Sequence, residues 1–400
     1  LEPAVTDPGP IDLLDGRFYA GDPHPSFRWM RQHAPIYRDE QNGLWGISRH
    51  GHIQEVAKHP ALFCNGGSSR PDAPPIPSMI NMDGLPHKRR RNLVNSGFTP
   101  RRVGEQEPRI REVCVQLIEG VASRGECDFV SEVAAWLPMI LIGDMLGVAR
   151  EDHDRLLRWS DDLILGTSAT ATPEAAVRAQ QAFQEYASYH AQVVADRRRR
   201  PPQDDLMSIL VHAEIDGEKL DDEALLQESL LILIGGDETT RHVLTGGLYQ
   251  LLLHPEQREK LIREPGRIPV AVEEMLRWVS PIQNMARTAT RDVDFHGARI
   301  RKGDKLLLLY PSANRDEEVF EEPFRFDVER SPNLHLAFGG YGPHFCLGSS
   351  LARLELRVMF EELLQRLPDM ELASPDPPRL RPSNFIAGIE ELPVRFTPRG

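Results

Sequence analysis

Cysteine is scarce in these 400 residues: Cys64, Cys114, Cys127 and Cys346 are the full set, and no two form a CxxC pair. A disulfide scaffold is thereby excluded for a chain of this size. Long apolar runs are missing as well, none approaching the roughly 18 residues of a membrane span. The first ten residues lack the basic-then-apolar pattern of a secretory signal. The expectation is a cytoplasmic protein with no transmembrane segment. Positive charge is in deficit, with 47 Lys and Arg against 60 Asp and Glu for a net charge of -13, so no nucleic acid partner is expected. Internal repeats and low-complexity linkers are absent, which makes one domain over residues 1–400 the economical organisation. Hydrophobic residues at 40%, with a mean hydropathy of -0.39, suffice for a sizeable core in a soluble chain.

What is present is mostly helical periodicity. The first 70 residues are rich in Pro and Gly, but Ile36 and Tyr37 face Trp45 and Ile47 across Asn42-Gly43, a hairpin signal. From Glu105 onward apolar residues recur at helical spacing, through Val113, Leu117, Ile118 and Val121, then over residues 136–146, 156–165 and 175–197. Short strand patterns return at residues 292–295, 299–300 and 305–310. The fold class expected is mainly α with small β-sheets. The longest helical pattern runs from about Asp221 to Leu253 and stops before His254-Pro255. At 1.5 Å per residue it is roughly 50 Å long, enough to cross the domain with its middle buried.

That middle contains Gly235-Gly236-Asp237-Glu238-Thr239-Thr240, polar and flexible where packing favours apolar side chains. Each glycine costs about 1 kcal/mol relative to alanine in a helix interior. Two readings stand: close helix packing with Thr239 bonded back to a carbonyl one turn earlier, or a local opening that makes room for a flat cofactor and a small ligand, with Thr239 and Glu238 handling protons. Cys346 sits among glycines at 339, 340, 342 and 348, just before a strongly helical segment at 349–367. Backbone N–H groups and a helix start favour thiolate over thiol there. A thiolate ligand is one reading; a cysteine nucleophile with His344 nearby is the other.

Three motifs then coincide in order: Gly235 to Thr240, Glu274-Met275-Leu276-Arg277, and the loop from Phe338 to Gly348 that carries Cys346. A lone ExxR is usually a surface ion pair, but the three together resemble the cytochrome P-450 family of haem-thiolate monooxygenases, over most of the chain. Phe338 lies eight residues before Cys346, one more than the family's commonest spacing. This longer loop, with phrases at residues 125–130, 231–242, 273–278 and 384–388, is similar to that of actinobacterial members that oxidise cholesterol side chains and methyl-branched lipids.

The resemblance implies haem b with Cys346 as the iron ligand, Phe338 and Gly348 beside it, and His87, Arg91, Arg287 and His344 around its propionates. It implies a buried network of Glu274, Arg277 and Arg325 bracing the loop, and a proton path through Thr239 and Glu238. Met79, Ile80, Met82, Leu233, Gly236, Ile282, Met285 and Ile386 align with pocket segments. The activity implied is O2-dependent hydroxylation of a hydrophobic small molecule, most closely a steroid side chain or methyl-branched lipid at a terminal methyl. Since no flavin or nicotinamide fingerprint is present, electrons are expected from a ferredoxin and its reductase, docking on a basic patch drawn from Lys88, Arg89, Arg90, Arg101, Arg102, Arg353 and Arg357. Competing readings are a P-450 acting on a terpenoid, macrolide or fatty acid, a non-catalytic haem-thiolate sensor, and an all-helical cysteine hydrolase without haem.

Overall fold

A computed structural model describes residues 6–166, 172–215 and 217–399. The long helix spans Asp222–Leu253, where Asp221 accepts from the Ala224 N–H at 2.7 Å and caps its start. Acidic Asp222 and Glu223 in the first turn complement the helix dipole. Its other end stops at His254-Pro255, as the proline dictates. Helices Trp136–Leu146, Ile268–Val279 and Ser349–Arg366 pack around it. The crossing with Ile268–Val279 and Ser349–Arg366 is close because Gly247 has no side chain: a Cβ there would lie 2.9 Å from Met275 Sδ and 3.2 Å from the Phe360 ring. Leu233, Leu244, Leu248, Leu251, Met275, Leu356 and Phe360, each at most 1% exposed, form the centre of this helical core.

The main sheet joins strands from residues 36–64 to strands from residues 284–309. Ile36–Asp39 pairs with Leu44–Ile47 through the expected hairpin, with Ile36 opposite Ile47 and Gly43 at φ +66° in the turn. Leu44–Ile47 then pairs in parallel with Lys305–Leu309, which pairs antiparallel with Asn284–Ala289, and Phe63–Cys64 closes the far edge. Leu306 and Leu308 face one cluster with Ile47, Ile53 and Phe63, whereas Leu307 and Leu309 face another with Leu13, Phe27 and Met30. A strand buried on both faces reads as a continuous apolar run, which is why residues 305–309 show no polar alternation. Smaller sheets join Glu126–Asp128, Glu371–Leu372 and Pro393–Arg395, and pair Val293–Phe295 with Ala298–Ile300. Helices His24–His33 and His50–Lys58 occupy the Pro- and Gly-rich opening, where sequence periodicity was too short to reveal them. Among the described residues no helix is long and apolar enough to cross a membrane.

Candidate active site

One wall is the loop leading into helix Ser349–Arg366. Asn314 Oδ1 accepts the Leu336 N–H at 2.6 Å, and the Phe338 carbonyl accepts the Cys346 N–H at 2.9 Å, so the loop is closed at both ends. The loop turns through two left-handed positions, Gly339 at φ +96° and Tyr341 at φ +61°. A Cβ at Gly342 would overlap the Ala57 carbonyl, so this position accepts only glycine without a shift. Tyr341 stacks on Phe345 at 5.3 Å, and Arg353 lies over the Phe338 ring at 4.5 Å. Burial pushes the Cys346 thiol up, opposed by N–H groups of Gly348 and Ser349 and by the charges of Arg91 and Arg353. These are the features of a sulfur prepared to carry negative charge once a cation binds it. Of the four cysteines only Cys346 lines the cavity; burial pushes the Cys127 thiol up to about 12 and raises Cys114 further.

The opposite wall is the middle of the long helix, which runs unbroken through both glycines. Thr239 Oγ1 donates to the Gly235 carbonyl at 2.8 Å. The hydroxyl is therefore bonded back to the preceding turn, and the residue still faces the cavity. The glycines serve different ends. A Cβ at Gly235 would meet nothing within 4 Å, whereas one at Gly236 would come within 2.6 Å of Ile142 Cδ1. Gly235 leaves space in the cavity; Gly236 lets the helix approach its neighbour.

A third wall is cationic. His87 and His344 stack at 4.1 Å, and the Nε2 atoms of both are buried without a hydrogen-bond partner. Burial beside Arg287, His87 and Arg91 pushes the His344 imidazole down to about 2. Arg287 is 6% exposed, and its Nη1 donates only to the neighbouring Ala286 carbonyl. Arg91 donates to the Phe345 carbonyl. Among the described residues no carboxylate pairs with Arg91 or Arg287, yet buried charges are normally paired. The wall lacks negative charge, and a ligand with two carboxylates would supply it. With a thiol on one wall and open space over Gly235 and Gly348, the residues fit haem.

Behind the loop, Glu274 and Arg277, both 0% exposed, form a two-pronged pair at 2.7 Å for each bond. Arg277 also donates to the carbonyls of Asn314 and Pro323, tying the helix to the segment before the loop. The expected third member is corrected: the Arg325 side chain is 56% exposed and pairs with Glu322, contributing only its carbonyl. The tight turn at 322–325 directs that side chain outward. Arg330, 11% exposed, takes its place on Glu274 at 3.1 Å.

The cavity measures about 290 Å³ to the centre of a water molecule, with mostly apolar walls. Met79, Ile80, Gly236, Ile282, Met285 and Ile386 line it, as do Cys346, Thr239, His87, Arg91, Arg287, His344, Phe338 and Gly348. Met82 and Leu233 do not. Leu233 is fully buried in the helical core, and Met82 follows the turn Met79–Asn81 that brings its neighbours inward. Phe98, Ile142, Leu231, Val243 and Phe385 also line it and were not anticipated, since each lies in an apolar pattern common to any core. Glu238 is 0% exposed and outside the lining; it is enclosed by Arg241, His242 and Arg381. The expected basic patch is largely neutralised: Arg90 pairs with Glu228, Arg101 with Glu105, Arg102 with Asp204, Arg353 with Glu273, and Arg357 with Glu107 and Glu361.

A family model described as Cytochrome P-450 matches residues 162–388. A steroid C26-monooxygenase of Mycobacterium tuberculosis is 50% identical over 396 residues, covering 98% of this chain and 99% of that protein. A methyl-branched lipid omega-hydroxylase of Mycobacterium bovis is 39% identical over 372 residues, covering 89% and 85%. Among solved structures, a cytochrome P-450 of Mycobacterium marinum in complex with pseudoionone superposes with a TM-score of 0.89 at 33% identity, over 98% of this chain and 100% of that one.

Proposed function

Because the chain belongs to the cytochrome P-450 family, it is a haem-iron monooxygenase that hydroxylates a hydrophobic substrate, and we propose that the substrate is a steroid with an intact aliphatic side chain, attacked at a terminal methyl. The observation that carries this reading is the 50% identity, over nearly the whole length of both chains, to a protein named for steroid C26 oxidation. The cavity supports it: its substrate-facing residues, Met79, Ile80, Ile282, Met285 and Ile386, are apolar, suited to a ligand held by burial and shape.

The reaction turns R–CH3 into R–CH2OH, consuming dioxygen, two electrons and two protons and releasing water. Haem b, bound through Cys346, supplies the activation of dioxygen. His87, Arg91, Arg287 and His344 would hold its propionates, and Phe338 and Gly348 would border it. Glu274, Arg277 and Arg330 keep the loop in place. Thr239 holds a proton at the cavity: Oγ1 donates to the Gly235 carbonyl and keeps its lone pairs for a proton donor in the cavity. A primary C–H bond is stronger than the secondary and tertiary bonds beside it, so the apolar walls must choose the carbon by admitting only the chain end. Electrons come from a ferredoxin and its reductase, in the cytoplasm, to one catalytic domain spanning residues 1–400.

The test is incubation with cholest-4-en-3-one, a ferredoxin and its reductase, with products identified by mass spectrometry against authentic standards. The expected product is the side-chain primary alcohol. Hydroxylation confined to the rings, or a low-spin to high-spin shift with a macrolide or small aromatic and with no sterol, would overturn the substrate while leaving the monooxygenase assignment in place.

A further inference from the structure

The acid beside Thr239 is turned away from the cavity, and what it holds is a loop that enters the cavity from elsewhere. Residues 379–381 pair with 388–390: the Arg381 N–H donates to the Gly388 carbonyl at 2.9 Å, the Glu390 N–H to the Arg379 carbonyl at 3.1 Å, and Leu380 bridges Ile389. The tip between them presents Phe385 and Ile386 to the cavity. One side of the tip is fixed by backbone bonds, from the Gln283 N–H to the Phe385 carbonyl at 2.7 Å and from the Ala387 N–H to the Pro281 carbonyl at 3.0 Å. Its base is fixed to the long helix by side chains. Arg381 Nη1 donates to Glu238 Oε2 at 2.8 Å, His242 Nε2 shares that oxygen at 2.9 Å, and the His242 ring packs on Gly388 so closely that a Cβ there would overlap it. Arg241 holds the other oxygen of Glu238 and links it to Asp161 on helix His153–Gly166.

We propose that Arg381 and Glu238, with His242 packed on Gly388, form a clasp that sets how far Phe385 and Ile386 reach into the cavity, which makes Arg381 a positioning residue for the choice of carbon hydroxylated. Thr239 and Glu238 are consecutive on one helix, so the clasp references the hairpin to the same turn that carries the cavity hydroxyl. A chain end is selected by the depth of the pocket, and a small displacement of a positioning group suffices to change reactivity greatly. In this reading Glu238 acts through the hairpin and not as a proton carrier. The inference rests on the proposed substrate only in that the group attacked is an aliphatic chain.

The haem-loaded enzyme and three variants, Arg381→Met, Arg381→Lys and Gly388→Ala, provide the test. Arg381→Met leaves Glu238 paired with Arg241 and His242, and Gly388→Ala pushes the hairpin off the His242 ring without removing any charged group. Backbone hydrogen exchange at residues 381 and 390 should rise about tenfold or more in Arg381→Met and Gly388→Ala, since local opening is governed by the contacts that hold a segment, and should return toward wild type in Arg381→Lys. With cholest-4-en-3-one both disruptive variants should move product from the terminal methyl toward the neighbouring carbons by about threefold or more, as expected of a displaced positioning group. Product formed per electron should stay near wild type. Unchanged exchange in both variants overturns the clasp. Unchanged product ratio with a collapse in product per electron also overturns it, because Arg381 would then act on Glu238 as a proton group. If wild type does not oxidise the sterol, the substrate proposal fails, and the exchange measurement still decides the clasp.

Discussion

Replacing Glu274 by alanine tests the bracing network where it is most concentrated. Its two oxygens accept from Arg277 Nε and Nη2 at 2.7 Å, Arg330 Nε at 3.1 Å, the Asp327 N–H at 3.0 Å and Asn333 Nδ2 at 3.1 Å. Removing one partner of a buried ion pair costs about 3–5 kcal/mol because the other charge is stranded. Each of the two neutral donors left without an acceptor adds about 1–3 kcal/mol. The total, about 5–11 kcal/mol, equals much of the 5–15 kcal/mol typical of a whole domain. Glu274→Ala should therefore yield little folded protein, and what is recovered should bind substoichiometric haem. Arg330→Ala should cost a few kcal/mol, whereas Arg325→Ala, on an exposed side chain, should stay within about 0.5 kcal/mol of wild type. Chemical denaturation followed by tryptophan fluorescence, with haem-to-protein ratio measured in parallel, gives both quantities. A Glu274→Ala protein within about 1 kcal/mol of wild type and fully loaded, or an Arg325→Ala more damaging than Arg330→Ala, would refute the reasoning.

Other substitutions follow from the walls of the cavity. Cys346→Ala and Cys346→His should abolish the strongly red-shifted Soret band of the reduced carbon monoxide complex; retention of the band in either would remove Cys346 as the ligand. Thr239→Ala should keep haem and substrate binding while diverting electrons to hydrogen peroxide, with Thr239→Ser restoring coupling; unchanged product per electron would reduce Thr239 to a helix-interior residue. Arg287→Leu removes a buried cation that has no carboxylate partner among the described residues, so the haem-free protein should be no less stable than wild type while haem dissociates faster; equal haem retention would contradict a propionate role. Burial beside Asp237 raises Glu355 from an ordinary value near 4.5 to about 8. The folded chain thus keeps a proton the unfolded chain releases, so the stability contribution is full below pH 4.5 and is lost as pH rises to 8. Denaturant stability should fall by several kcal/mol across that window, and Glu355→Gln should flatten the profile; a wild-type profile already flat would count against it.

The elements were legible where side-chain period and punctuation agree. Asp221 as a cap and His254-Pro255 as a stop bound the long helix to within a residue, and Asn42-Gly43 sets the hairpin register. Cys346, Thr239 and the cationic set come to one cavity because each lies in a motif whose spacing ties it to a backbone feature. Side chains one residue from a motif were less legible, since a helix turns about 100° per residue: Glu238 faces Arg381 though Thr239 faces the cavity. Arg325 and Arg330 are equivalent in composition, and only the turn at 322–325 decides which reaches Glu274. Long-range partners such as Arg381 for Glu238 leave no local signal at all.

The main sheet also has a temporal meaning. Ile47 lies beside Leu308 in a parallel pair, with some 260 residues of chain between them. Leu13, Phe27 and Met30 find their packing partners Ala286, Leu307 and Leu309 only when that stretch has been made. At ribosomal speeds of about 5–20 residues per second, the opening segment waits roughly 10–50 s with its apolar side chains unsheltered. Closing so long a loop is also slow in itself. Nascent-chain holdases should therefore matter more for this protein than its helical content suggests. A chimera that exchanges the first hundred residues with a relative should fold only if residues 284–309 travel with them.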